Sequence, residues 1–91
     1  MKTLAMFKPS DELTFQTVQL NRERFVNVLT SHQDDDVSVN LSQVNVCDSA
    51  GIALLLELKR LGLAQKKTVT MVDVSPLVDS WVEFCGIKPL L

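Results

Sequence analysis

Apolar residues recur along this chain at two spacings, and the change from one to the other marks out its elements. Leu4 to Phe7 is a short apolar run, Pro9, Ser10 and Asp11 form a turn signal, and Leu13 to Val18 follows with apolar and polar positions alternating. Two strands joined in a hairpin are expected, with Leu13 and Phe15 on one face. From Asn21, read as a helix cap, the spacing lengthens. Phe25, Val28 and Leu29 then fall at i, i+3 and i+4, which predicts a short amphipathic helix. His32 to Asp36 reads as a polar loop.

Val37, Val39 and Leu41 alternate with polar residues, and Val44 and Val46 follow them, so a strand is expected to lead to Asp48. A helix is expected from about Ala50 to Gln65, another strand over Val69 to Val72, and a last helix over Leu77 to Phe84. Ser75 and Pro76 give that last helix an N-cap and first-turn proline, and Gly86 gives it a stop. The order β-β-α-β-α-β-α predicts an α/β domain with a small mixed sheet, the N-terminal hairpin preceding parallel strands joined by crossover helices. With 91 residues, the whole chain is expected to form one domain, 1–91, around one modest core.

Composition narrows the classes. Hydrophobic residues at 46% and charged residues at 22% fit an ordinary folded protein, not a disordered or disulfide-dense one. A net charge of −2 with no long basic run argues against nucleic acid as a ligand, because phosphate binding needs clustered Lys and Arg. Lys59, Arg60, Lys66 and Lys67 read as the solvated side of the second helix. The N-terminus has no signal-like apolar segment and no run reaches the ~18 apolar residues of a membrane span, so a cytoplasmic location is expected. Cys47 and Cys85 are far apart and outside any Cys-x-x-Cys arrangement, which suits free thiols in a reducing compartment.

Candidate chemistry centres on VNVCDSAGIALLLEL, Val44 to Leu58, where Asp48 and Ser49 separate a strand-like run from an apolar helix. Either residue suits a helix cap, accepting hydrogen bonds from free backbone N–H groups. A nucleophilic serine needs a base, and the one histidine, His32, sits in a polar loop with no sequence reason to meet Ser49. Asp-Ser-Ala-Gly is not Gly-x-Ser-x-Gly, and no nucleotide-binding Gly-x-x-x-x-Gly-Lys loop is present. Asp34, Asp35 and Asp36 lack the alternating ligands of a calcium loop. Asp73 and Asp79 lack partners at useful spacing, and Trp81 fits a core or rim position. The sequence predicts a non-enzyme, with no catalytic, cofactor or metal site.

Projected at 100° per residue, Leu54, Leu55, Leu58, Leu61 and Gly62 share an arc wide enough to face a sheet. Ile52, Leu56 and Leu63 form a second strip. Two readings of it stand open. The strip meets a neighbouring helix in the same core, or Ile52, Ala53 and Leu56, beside Ser49, form an exposed apolar patch for a protein partner.

The run VSVNLSQVNVCDSAGIALLLELKRLGLAQKKTVTMVDVSPLVDSWVEFCGI, residues 37–87, resembles the STAS domain, the fold of bacterial anti-sigma factor antagonists. Its specific part is a strand ending in Asn-Leu-Ser, four further residues and Cys47, then Asp-Ser-x-Gly opening a Leu-rich helix. In the phospho-switched antagonists the motif reads Asp-Ser-Ser-Gly or Asp-Ser-Thr-Gly followed by Leu-Gly, and Ser49 aligns with the serine that an anti-sigma kinase phosphorylates. This chain departs from that pattern at Ala50 and Ala53. Gly-Ile-Ala-Leu-Leu-Leu is more similar to the MlaB branch, whose motif reads Asp-Thr-Gly-Gly-Leu-Ala-Leu-Leu-Leu.

The MlaB resemblance implies a non-catalytic subunit of an ABC-type transport system that moves phospholipid between inner and outer membranes and maintains outer-membrane lipid asymmetry. It implies docking on the ATPase subunit within a complex containing a membrane permease, in the cytoplasm at the inner membrane. Carried over to this chain, the contact falls on Asp48, Ser49, Ala50, Ile52, Ala53 and Leu56. The alternative is an anti-sigma factor antagonist whose partner kinase phosphorylates Ser49.

Overall fold

The structure, a computed structural model, describes residues 5–91. Five short strands and three helices are assigned: β1 (Ala5–Phe7), β2 (Glu12–Leu13), α1 (Val18–Ser31), β3 (Asp36–Asn40), β4 (Val46–Cys47), α2 (Ser49–Ala64), β5 (Thr68–Val72) and α3 (Pro76–Cys85), with a 3-10 turn at Lys88–Leu90. The start of the first predicted strand, Leu4, lies outside the described residues.

Strands β1, β3 and β5 form one sheet in that order, parallel throughout, with Ala5 opposite Val37 and Val37 opposite Val69. Strands β2 and β4 form a separate parallel pair, Glu12 opposite Val46 and Leu13 opposite Cys47. The α/β class and the helical crossovers between parallel strands are as expected, but the N-terminal hairpin is not formed. Its turn residues are engaged elsewhere: the Ser10 N–H donates to Asn21 Oδ1 (3.1 Å), and the Asp11 carbonyl accepts from the Asn45 N–H (2.9 Å). Those bonds send β1 and β2 to different partners, each reached in parallel.

Two boundaries shift for related reasons. The expected strand Leu13 to Val18 ends at Leu13, because the Thr17 hydroxyl accepts from the Thr14 N–H (3.0 Å) and donates to the Glu12 carbonyl (2.7 Å), folding the segment into a turn that opens α1. Phe15 therefore does not share a face with Leu13; Leu13 is buried and Phe15 is 76% exposed. Asn21 lies inside α1 rather than at its cap, fully buried and clasping Ser10 through both ends of its amide. The apolar pattern from Val37 to Val46 crosses a turn, closed by Val44 N–H to the Leu41 carbonyl (3.3 Å), and so belongs to two strands in two sheets.

The final helix follows its sequence signals. Ser75 Oγ accepts from the Val78 N–H (3.4 Å), Pro76 opens the helix, and Gly86 closes it at φ +69°, a backbone conformation that a residue without Cβ adopts at little cost. Lys66 and Lys67 lie beyond the end of α2, and Lys67 Nζ donates to the carbonyls of His32 and Asp34 (2.7 Å each), pinning the loop before β3.

One cluster of buried apolar side chains runs through these elements, with Phe25, Leu13, Leu41, Leu55 and Leu58 among the most deeply buried. The Phe7 and Phe25 rings meet edge to face at 5.3 Å, joining α1 to the sheet. Helix α2 packs on α1, β5 and α3 together. That threefold packing buries Leu54, Leu55 and Leu58 of the first strip and Ile52 of the second, while Leu56 stays half-buried and Leu63 is 72% exposed.

Candidate functional site

The Asp48–Ser49 segment sits where β4 passes into α2. Asp48 is extended, at φ −135° and ψ −178°, and caps the helix: its Oδ1 accepts from the Gly51 N–H at 2.9 Å. Its second oxygen, Oδ2, accepts from the Phe15 N–H at 3.0 Å. The Asp48 N–H donates to the Leu13 carbonyl (3.3 Å), so the motif aspartate is stitched to the β2–α1 segment by backbone and side chain. The Phe15 N–H first, and the Gly51 N–H second, hold the carboxyl below its ordinary pKa by bonding to the charged form.

Gly51 explains why the segment needs a glycine two residues after Ser49. A Cβ there would lie 1.9 Å from the Leu13 carbonyl oxygen, so only a residue without a side chain lets β2 approach the first turn of α2. Of the two cap candidates Asp48 takes the role, and Ser49 is the first helical residue, exposed to solvent.

Helices α1 and α2 lie side by side and enclose a groove of about 400 Å³, lined by Val18, Gln19, Arg22 and Glu23 from one and Ala50, Ala53, Leu54 and Glu57 from the other. Glu57 links the helices, meeting Arg60 Nη2 at 2.6 Å and Arg22 Nε at 3.6 Å. Arg60, then Arg22, draw its carboxyl below the usual range. Because the first turns of the two helices face one another, the far end of α1, where His32 stands, is roughly 20 Å along the helix from Val18. Ser49 thus has no histidine at its side.

The predicted partner-binding residues divide by burial. Ser49 and Ala53 are exposed, and Asp48, Ala50 and Leu56 are half-buried. Ile52 is a correction: at 2% exposure it belongs to the core, because α2 buries a flank between its neighbouring elements as well as the face it lays on the sheet. The exposed-patch reading therefore loses Ile52.

Cys47 is half-buried, and burial first, then the neighbouring Asp48 charge, pushes its thiol up to about 11. It stays protonated at neutral pH. Cys85 is exposed, and both are free thiols. Among the described residues no group of three His, Cys, Asp or Glu side chains could hold a metal ion. A second apolar surface lies on α3, where Leu77, Trp81 and Phe84 line a shallow hollow and Phe84 is 85% exposed.

The sequence reading missed Phe15 as a site residue, having assigned it to a strand. The signal that was there is Thr17, a residue type that opens helices, directly before the apolar-periodic segment.

A family model described as "Mlab, STAS domain" matches residues 10–91. The chain belongs to this MlaB-type STAS family. No curated protein matches it well enough to count as a relative. Among solved structures, a sulfate transporter family protein from Wolinella succinogenes is similar, with a TM-score of 0.72 and 16% identity over 97% of this chain and 71% of that one. At that identity the likeness speaks for the fold. In this STAS domain the Asp-Ser-x-Gly stretch is thus a structural joint: the aspartate caps and stitches, the glycine permits close approach, and the serine faces solvent.

Proposed function

We propose that this STAS domain is a non-catalytic subunit of an ABC-type phospholipid transport system that maintains outer-membrane lipid asymmetry, docking on the ATPase subunit and supporting it. The observation that carries the reading is the MlaB-type family match across residues 10–91. The α1–α2 groove beside the solvent-facing Ser49 and Ala53 supports it, because a concave, partly apolar surface with a charged rim suits a protein partner. The domain works in the cytoplasm, held at the inner membrane through the ATPase and permease; among the described residues no helix is long and apolar enough to cross a membrane. ATP belongs to the partner, and lipid to other subunits.

A rigid domain that binds the assembled ATPase more tightly than its dissociated form stabilises assembly in proportion to that difference. Affinity purification of the tagged chain from its native bacterium in mild detergent, with mass spectrometry of what accompanies it, is the test. Co-purification of an ABC ATPase with its permease is expected. Recovery of a kinase-like anti-sigma factor alone would replace this reading with the second one.

That second reading, an anti-sigma factor antagonist switched at Ser49, is favoured by one observation: the hydroxyl stands exposed on the first residue of α2. A phosphate there adds ~1.5–2 negative charges beside the Asp48 carboxylate. Phosphopeptide mapping across several growth conditions separates the two, and finding no phosphorylated Ser49 rejects the switch.

A further inference from the structure

We draw no further inference here: the strongest candidate, the shallow apolar hollow that Leu77, Trp81 and Phe84 form on the exposed face of α3, is a bare helix face, and nothing among the described residues shows what covers it.

Discussion

Asp48 shows how one side chain joins distant parts of the chain. Its capping of Gly51 is local, and an aspartate ahead of a helical pattern makes that cap legible in the sequence; its bond to Phe15 spans 33 positions and leaves no trace there. Both bonds favour the charged carboxylate, and its folded-state pKa is depressed. Its stabilisation is therefore fully present above the ordinary carboxyl pKa of about 3.9 and is lost as pH falls through the lower folded value. Thermal midpoints recorded from pH 7 down to pH 2 are expected to fall less steeply for D48N than for the unaltered chain at the acid end. Cys47 behaves in the opposite sense. Raised to about 11 by burial and Asp48, its thiol stays protonated where an ordinary one ionises, so iodoacetamide at pH 8 is expected to label the exposed Cys85 and largely spare Cys47, as peptide mapping would read. Nothing in the spacing of the two cysteines distinguished them; burial does.

At the scale of the element, helix α2 carries the most information. Its length and its Leu-rich face were readable from a 3.6-residue period, but the second strip was ambiguous, because periodicity reports that a face is apolar and not what covers it. The structure divides that strip, burying Ile52 at 2% exposure and leaving Leu56 half-buried. Ile52→Ala is expected to cost about 2–5 kcal/mol in urea unfolding, the range of buried truncations. Leu56→Lys is expected to cost less than Ile52→Ala and leave the chain folded, since a lysine stem can lie along apolar surface with its ammonium in water. Gly51→Ala tests the joint between α2 and β2. With a Cβ 1.9 Å from a backbone oxygen, neighbouring backbone must move, and a loss of about 3 kcal/mol in the same assay is expected. Helix ends were legible where the signal is local, as at Ser75, Pro76 and Gly86. They were misread at Asn21, whose amide is taken up by Ser10 from an earlier turn.

Across the whole molecule, the class could be read because apolar periods of two and 3.6 alternate along the chain, and the strand pairing could not. A turn signal between two apolar runs favours a hairpin locally, yet Phe7 pairs with Val39 and Leu13 with Cys47, each across an intervening helix. The competition is decided by which faces must be buried together, a property of the assembled core. Parallel pairing throughout has a further consequence, in time rather than in space. Among the described residues no strand lies hydrogen-bonded to the strand next to it in sequence, so these strands offer no hairpin with which to begin a sheet. Ala5 can find Val37 only after the segment holding α1 has become compact, because closing so long a flexible loop costs entropy before any ladder bond repays it. Helix formation should thus set the pace. Arg24→Gly, on the exposed face of α1, is expected to cost about 1 kcal/mol and to slow refolding in stopped-flow experiments while leaving unfolding nearly unchanged. The sheet waits on the helix that separates its strands.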